Sequence, residues 1–424
     1  MVKDELIAAE IKDQGGSSIG SNEFHQPLKI KKIAMLGTFP PLRGLSSYCF
    51  ELASAVARRI NVDFISFKKL YPRFLYPGGN LKEDHTFPEL NIRGLKISRR
   101  ITWYNPLTWL FEATVSRAEL LHAQWWSLPL SAIYLCICGI FKLRGKPVVL
   151  TVHNVFSHGH SRIFKAASRL LFGMADHFIV HTEKNRLQLI HGYGVSNGHI
   201  SVIPHGTLDF HIRDQVNPAA VRKELGIGLN RKVVLLFGAI RPYKGIDTAI
   251  KALARVVLDV PDAMLIIAGK LWQSWAPYKR LIDSLAIGNS VKTFLEYVPS
   301  GEVYKYFEAA DLVVLPYEQF DSQSGVGSTA VSFRKPMIVS DVGGLPDLVR
   351  NRRWVVPPQN PAALARAIVA CLTQPNLLLD MADDTKNVAD QLGWANIAEN
   401  TIALYDKLIG GSDNIRKTSD KRRR

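Results

Sequence analysis

The chain has 424 residues, of which 47% are hydrophobic and 21% are charged. These proportions are ordinary for a globular protein; they exclude global disorder, a collagen-like repeat and a multi-span membrane protein, and the length predicts two or three domains. The net charge of +16 is unevenly distributed, with −3 on residues 1–28, +13 on 29–210, +2 on 211–412 and +4 on 413–424. The basic half is therefore expected to attract anionic partners.

Both ends of the chain are predicted to be disordered. Residues 1–28 are polar and slightly acidic and contain no apolar segment, so no signal peptide is expected, which favours the cytoplasm. Residues 411–424 form a short basic tail. The four cysteines lack metal-binding or disulfide-framework spacing, so reduced, buried thiols are expected.

A strand is predicted at 30–36, followed by a Gly/Pro loop and a helix with Leu45, Tyr48, Leu52 and Val56 on one face. The later apolar runs of the first half have the continuous character of strands buried on both sides of a parallel sheet. These strands are predicted at 62–67, 120–122, 147–152, 177–180 and 199–203.

The segment 120–141 contains no Asp, Glu, Lys or Arg over 22 residues, nominally enough to span a membrane. Polar residues and Pro129 interrupt it, and only the 14 residues 128–141 are continuously apolar. A strand followed by a buried helix is therefore predicted here instead.

The same alternation begins again near residue 231. Strands are predicted at 232–237, 263–268, 291–295, 311–315 and 336–340, and helices at 246–258, 278–285, 301–310, 325–333 and 361–371. The resulting domains are 29–207 and 231–394, joined by a linker at 208–230 and followed by a helix at 395–410. Two α/β halves of this kind predict ligand binding in a cleft at the carboxyl ends of their strands.

Two loops of the first half follow predicted strands and suit ligand binding. The loop 37–47 opens a helix whose free N–H groups suit a phosphate, and Gly44 permits close approach of the backbone. His153 follows the strand 147–152, where a neutral imidazole could bond a sugar hydroxyl or assist proton transfer; a structural histidine is the alternative. His158 and His160 have no suitable third ligand nearby, so no metal site is predicted.

Two loops of the second half have the same placement. In the loop 237–245, Arg241 and Lys244 could neutralise a leaving diphosphate, although a solvated charge pair is the alternative. The loop 315–326 opens a helix with Ser324 and Gly325, whose amides could hold a phosphate. Its other polar side chains could accept hydrogen bonds from sugar hydroxyls.

Six pieces in one order, FPPLRGLSSY, LTVHN, ADHFIVHTE, VIPHG, RPYKG and KPMIVSDVGGLPDLV, resemble the family-4 retaining glycosyltransferases of GT-B fold over residues 30–410. The resemblance implies two Rossmann-like, doubly wound domains facing across a cleft, with the nucleotide-sugar on the second and the acceptor on the first. It implies that the final helix crosses back onto the first domain. It also implies that the sugar keeps its anomeric configuration on transfer (retention). No metal is expected, because nothing resembles the Asp-x-Asp metal motif of the other large glycosyltransferase fold.

The resemblance transfers roles to particular residues. Gly44 matches the glycine-rich loop beside the donor phosphates, His153 the histidine near the donor sugar, and Lys244 the lysine on the diphosphate. The implied catalytic residues are His153, Arg241, Lys244 and Asp321, and the implied donor-binding residues are Gly44, Gly238, Ser324, Gly325, Val326 and Thr329.

The chain also departs from the family pattern. Ala239 stands where the family has an arginine, and Arg241, two residues later, is the expected substitute. The family's two glutamates fall on Asp321 and Thr329, and a threonine cannot make the bidentate contact to ribose hydroxyls. The donor's sugar and base are therefore left open.

The expected function is transfer of a sugar from a nucleoside diphosphate to a hydroxyl acceptor, without a cofactor. The basic charge of the first half, its aromatic residues and the basic tail 421–424 predict a peripheral enzyme at the cytoplasmic face of an anionic membrane, with a lipid-linked acceptor. The aromatic residues are Trp103, Tyr104, Trp109, Phe111, Trp125 and Trp126, the first of them preceded by Arg99 and Arg100, and core packing is the alternative for any one of them. A GT-B-fold sugar-nucleotide epimerase is the alternative enzyme. A non-enzymatic binder of anionic ligands is the third reading; nucleic acid is not expected, because no nucleic-acid motif accompanies the basic charge.

Overall fold

The computed structural model of the chain describes residues 28–43, 45–72, 83–88, 92–155 and 162–421. Outside these ranges lie residues 1–27 of the N-terminal segment predicted to be disordered, residues 422–424 of the tail, Gly44, and the pair His158 and His160. The described strands form two parallel sheets, one in each half of the chain.

Seven strands form the first sheet, in the order β3-β2-β1-β4-β5-β6-β7. They are β1 (Lys32–Leu36), β2 (Asn61–Lys69), β3 (Leu95–Thr102), β4 (Leu120–Trp125), β5 (Val148–Val152), β6 (His177–Val180) and β7 (Ile200–Val202). Strand β3 was not predicted because Lys96, Arg99 and Arg100 break its apolar pattern. It is an edge strand, where exposed polar side chains are tolerated.

Helices cover both faces of this sheet. They are α1 (Ser46–Ala57), α2 (Pro106–Val115), α3 (Ser131–Leu143), α4 (Arg162–Phe172) and α5 (Glu183–Tyr193). Alternate side chains of β1 point to opposite faces: Ile33 and Met35 pack on the side of α1, whereas Ala34 and Leu36 pack on the side of α2 and α3.

Six strands form the second sheet, in the order β10-β9-β8-β11-β12-β13. They are β8 (Lys232–Phe237), β9 (Ala263–Ala268), β10 (Val291–Phe294), β11 (Leu312–Leu315), β12 (Met337–Ser340) and β13 (Val355–Val356). Its helices are α6 (Pro218–Glu224), α7 (Ile246–Asp259), α8 (Ala276–Ser284), α9 (Val303–Ala309), α10 (Gly325–Ser332), α11 (Pro361–Thr373) and α12 (Pro375–Gln391). Helix α6 lies within the predicted linker, but Val221 packs in the core of this second half.

The last helix, α13 (Trp394–Lys421), is longer than the predicted 395–410. It packs on α1, and Tyr405 is fully buried in the core of the first half. The carboxylate of Asp406 accepts hydrogen bonds from the backbone N–H groups of Lys29 and Ile30, at 2.9 and 2.8 Å. The helix therefore fastens the end of the chain to the first half.

The apolar segment 120–141 forms strand β4 and helix α3, as predicted, and Ile133, Tyr134 and Phe141 of α3 are buried. Among the described residues, no single helix has the length and apolar composition needed to cross a membrane. One pair, Pro361–Thr373 with Pro375–Gly410, passes that test together but is bent by 103° at its junction.

Candidate functional site

A cavity of about 480 Å³ opens between the two halves. Its walls come largely from loops that follow β1, β5, β6, β7, β8, β10 and β11, because the carboxyl ends of parallel strands meet at one edge of each sheet. Arg43 and Lys244 line it, and no Asp or Glu is among the described lining residues. The cavity is therefore suited to an anionic ligand.

Lys244 is the buried cation of this cavity, only 6% exposed. It lies in the short turn between β8 and α7, which closes through Gly245 at φ 65°. A Cβ on Gly245 would lie 1.8 Å from the carbonyl oxygen of Pro316, so only glycine fits where the turn meets the end of β11.

The ammonium group of Lys244 donates a hydrogen bond to the hydroxyl of Tyr317 and lies 4.0 Å from the centre of its ring. None of the ion pairs found among the described residues involves it. Burial, and secondarily the charge of Arg241, lowers the pKa of Lys244 to about 7. An anion entering the cavity would stabilise the charged form of this lysine.

The start of α10 forms the neighbouring wall. Ser324 caps the helix by accepting a hydrogen bond from Gly327 N–H at 3.2 Å, and its hydroxyl lies 3.1 Å from that of Tyr317. Gly325 and Val326, the first two residues of the helix, line the cavity. The unpaired amides at the start of a helix favour a phosphate. Thr329 also lines the cavity, but its hydroxyl donates to the carbonyl of Gly325 at 2.9 Å.

Gly238 directly follows β8 and lies against the start of α10. Its φ is 103°, and a Cβ there would lie 2.8 Å from a methyl group of Val326. The end of β8 can therefore approach the start of α10 only because residue 238 has no side chain. Gly238 itself is not among the lining residues.

His153 lines the opposite wall and joins a chain of buried polar groups. Its Nδ1 lies 3.1 Å from Nε2 of His181, and its Nε2 lies 2.9 Å from the side-chain oxygen of Gln124. The other end of the Gln124 amide lies 3.1 Å from Nε2 of His122, whose Nδ1 lies 2.6 Å from the hydroxyl of Tyr405. This series of hydrogen-bonded side chains thus runs from the cavity wall to α13.

The directions of these hydrogen bonds follow from the acceptor at one end of the series, the backbone carbonyl of Ile203. The carbonyl of Ile203, 2.9 Å from Nδ1 of His181, can only accept, so that nitrogen carries the proton. Burial holds the pKa of His181 at about 3, so its ring is neutral and its Nε2 accepts from Nδ1–H of His153.

The opposite nitrogen of His153 is consequently an acceptor. Burial, together with neighbouring His181, lowers the pKa of His153 well below its usual range, so this ring is neutral too. Because only a donor can bond to Nε2 of His153, the amide of Gln124 must turn its NH₂ group toward it and its oxygen toward His122. Both ring nitrogens of His153 are then engaged inside the protein.

Besides His211, two further histidines, His181 and His205, line the cavity, and the sequence reasoning missed all three. Both rings lie against Tyr48, at centroid distances of 5.2 and 4.9 Å. The rule that selected His153 at the end of β5 would have found them, because His181 directly follows β6 and His205 follows β7 by three residues. Arg43 and Tyr297 were missed as well; the guanidinium of Arg43 lies 3.3 Å from the ring centre of Tyr297.

Two predicted catalytic side chains lie outside the cavity lining. The guanidinium of Arg241 stacks on Trp272 at 3.8 Å, and the carboxylate of Asp321 pairs with Lys184 of the first half at 3.0 Å. Gly44 falls outside the described residues. Within the part of the chain that the structure describes, no three His, Cys, Asp or Glu side chains are grouped so as to hold a metal ion.

A hydrogen-bonded contact next to the cavity joins the two halves. The carboxylate of Asp84 accepts from the hydroxyl of Tyr297 at 2.7 Å, and from the backbone N–H and hydroxyl of Ser300 at 2.9 and 2.8 Å. Burial alone would raise the pKa of Asp84, but these bonds, with one from Thr86, outweigh burial and hold it at about 2.

Two Rossmann-like domains facing across such a cleft define the GT-B class, as the sequence predicted, and solved structures share this fold. Sucrose-phosphate synthase from Thermosynechococcus elongatus aligns with a TM-score of 0.67 at 20% identity, over 90% of this chain and 100% of that one. HepE from Anabaena, in complex with UDP and glucose, aligns with a TM-score of 0.66 at 17% identity, over 89% of this chain and 100% of that one.

The chain belongs to the glycosyltransferases: residues 42–207 match Glycosyltransferase Family 4, and residues 219–388 match Glycosyl transferases group 1. The family resemblance inferred from the six sequence pieces is thereby confirmed.

Relatives among curated proteins agree with this assignment. The D-inositol 3-phosphate glycosyltransferase of Corynebacterium glutamicum is 30% identical over 56% of this chain and 59% of its own length. The enzyme of the same description from Streptomyces bingchenggensis is 27% identical over 58% of this chain and 56% of its own length. The chain thus spans less than two thirds of the curated relatives that it matches.

Proposed function

We propose that the protein transfers a sugar from a nucleoside diphosphate sugar to a hydroxyl acceptor, with retention and without a metal or other cofactor. The observation that carries the proposal is Lys244, a buried cation facing a cavity whose described lining contains no carboxylate. A diphosphate would supply the missing negative charge. The family of the chain and the UDP-glucose complex of HepE support a nucleotide sugar as the source of that charge.

In the proposed reaction, the bond between the sugar and the diphosphate breaks and negative charge grows on the leaving oxygen. Lys244 and the amides of Gly325 and Val326 would stabilise that charge, since preorganised donors are worth most where charge develops. The hydroxyl of Tyr317 holds Lys244 in place and can donate its proton to Ser324. This cationic wall would do the work that a metal performs elsewhere.

Retention is supported by which groups face the sugar. Among the described lining residues there is no carboxylate to form a covalent intermediate, and both ring nitrogens of His153 are engaged. We therefore assign His153 a positioning role. The leaving phosphate would accept the proton of the attacking hydroxyl on the same face of the sugar.

The acceptor is proposed to be lipid-linked, and the enzyme to act as a peripheral protein at the cytoplasmic face of an anionic membrane. The +13 charge of residues 29–210 and the exposed rings of Trp103 and Tyr104 support this assignment.

The decisive experiment is a thermal-shift panel of UDP-, GDP- and ADP-sugars, because a ligand that binds the native state raises its melting temperature. One nucleotide sugar should stabilise the wild type, and Lys244→Ala should lose that shift and about 10²-fold in kcat. Chelation with EDTA should leave activity intact. Conversion of the nucleotide sugar without any acceptor would instead identify an epimerase, and no shift with any donor would refute the proposal.

A further inference from the structure

Large hydrophobic side chains at the surface are concentrated on one side of the first half. Of the 14 that are exposed among the described residues, nine lie between Trp103 and Leu170. They are Trp103, Tyr104, Leu107, Leu110, Phe111, Val115, Leu143, Ile163 and Leu170. Single exposed apolar residues are normal, whereas a large exposed apolar surface marks a binding site.

Helix α2 contributes four of these nine residues and is apolar on two faces. Trp109 and Ala113 point into the core, whereas Leu107, Phe111 and Val115, spaced by four residues, form an exposed stripe on another face. Leu107 is 71% exposed and Phe111 is 47% exposed. Packing within the domain explains the first face and leaves the exposed stripe without a function.

Helix α4 extends the same surface. It packs on α3, which packs on α2, so the three helices form one layer over the sheet. On α4 the exposed residues Ile163, Ala166 and Leu170 recur at helical spacing. Leu143 is the last residue of α3, and it lies beside the end of α2. The next residue, Arg144, donates hydrogen bonds to the backbone carbonyls of Ala113 and Ser116, where α2 ends.

The segment of the sequence that carries these side chains is strongly basic. Residues 95–172 contain ten Lys or Arg and two Asp or Glu. One of the two acids, Glu112, is buried and accepts a hydrogen bond from Ser98 at 2.6 Å, so it offers little charge to a partner. The guanidinium of Arg100 lies 5.2 Å from the ring centre of exposed Phe111, a basic and aromatic pairing suited to a membrane interface.

We propose that the outer faces of α2 and α4, together with Trp103 and Tyr104, form a lipid-facing surface that docks onto an anionic bilayer. The proposal rests on the proposed function and names the part of the chain that would meet the membrane. An anionic bilayer offers both an apolar interior and negative headgroups, matching the two features of the surface. A second copy of the chain would instead oppose like charges across the contact.

The orientation of this surface suits a lipid-linked acceptor. Trp103 and Tyr104 directly follow β3, so they lie at the carboxyl edge of the sheet, where the cavity opens. Arg99 of β3 donates to the carbonyl of Pro40 at 2.8 Å, in the loop that leads to cavity residue Arg43. A headgroup held at the bilayer surface would therefore lie beside the cavity entrance.

The test is vesicle binding by the full chain, measured by sedimentation with phosphatidylcholine vesicles that contain no anionic lipid or about one third phosphatidylglycerol. The wild type should bind the anionic vesicles at least tenfold more tightly than the neutral ones. The variant Leu107→Ser with Phe111→Ser should lose at least tenfold in affinity. The matched control, Leu258→Ser with Leu379→Ser, alters residues of the second half that are 79% and 66% exposed and should bind within about twofold of wild type.

Three results would overturn the proposal: no binding to anionic vesicles, equal losses in both double variants, or a dimer in light scattering that only the α2 variant dissociates. The thermal shift with a nucleotide sugar is measured in solution and tests the proposed function separately. If the protein does not bind vesicles but still shows the thermal shift with a nucleotide sugar, the lipid-facing surface is refuted and the proposed transferase function is not. If the protein binds anionic vesicles but shows no thermal shift with any nucleotide sugar, the transferase proposal is refuted and the lipid-facing surface is not.

Discussion

Replacing Lys244 with glutamine is expected to remove proton uptake from donor binding. In the free protein burial lowers the pKa of Lys244 to about 7, so this lysine is largely protonated at pH 6 and largely neutral at pH 8. A bound diphosphate would favour the charged form and raise that pKa. Binding at pH 8 should therefore take up close to one proton, and binding at pH 6 close to none.

The magnitude follows from the same pKa. With a free-state value of about 7, the protonated fraction falls about tenfold between pH 6 and pH 8, so the apparent affinity for the donor should fall by roughly the same factor. The other basic groups of the cavity do not interfere, because burial holds the pKa values of His181 at about 3 and of His205 and His211 at about 4. Both phosphates of a nucleotide sugar are esterified, so the ligand does not titrate in this window.

Calorimetry in buffers with different ionisation enthalpies counts the protons directly. The donor is the nucleotide sugar selected by the thermal-shift panel, and Lys251→Gln, on the exposed face of α7, is the matched control with unchanged uptake. Lys244→Gln should bind more weakly and show no uptake at either pH. Absence of uptake by the wild type at pH 8, or equal uptake by Lys244→Gln, would refute the reasoning.

Three further predictions concern groups around the cavity. Nitrogen NMR of the histidine rings should find His153 protonated on Nδ1, and a ring protonated on Nε2 would contradict the deduced hydrogen-bond directions. Asp84→Asn should cost roughly 2 kcal/mol of stability at pH 7, because hydrogen bonds to a charged acceptor are lost. The pKa of Asp84 is lowered from 3.8 to about 2, so the stability that its charged form contributes is lost as the pH falls through that interval. The difference in the free energy of unfolding between wild type and Asp84→Asn should therefore shrink over this pH range, and a constant difference would contradict this assignment. Gly245→Ala should lower stability by at least about 2 kcal/mol through strain at positive φ and a backbone clash, whereas Gly139→Ala, in an open position of α3, should be nearly neutral in the same denaturation experiment.

The order of strands and helices could be predicted from the sequence because parallel strands buried on both faces are continuous apolar runs. Strands β6, β8 and β9 begin and end at the predicted residues. Strand β3 failed this rule, because an edge strand does not need apolar residues on both sides. The seven residues of helix α6 are too few to show a helical period, and only packing around Val221 reveals the place of this helix in the second half.

The candidate site could be predicted where a residue's position follows from its own strand, and not where it depends on another segment. His153 and Lys244 line the cavity because each follows a strand that ends there. The side chain of Arg241 was expected on the diphosphate, but it stacks on Trp272, which lies 31 positions away in the sequence. No local pattern contains that information.

The return of α13 to the first half has a physical reason in the buried chain of hydrogen bonds. A row of neutral polar groups inside a core requires a suitable partner at both ends, because a buried group left without one is costly. At one end the carbonyl of Ile203 accepts from His181, and at the other the hydroxyl of Tyr405 donates to His122. Tyr405 comes from the last helix, so a residue more than 250 positions beyond His153 in sequence completes the network that fixes its ring. The wall of the cavity in the first half therefore depends on a segment that follows the whole second half.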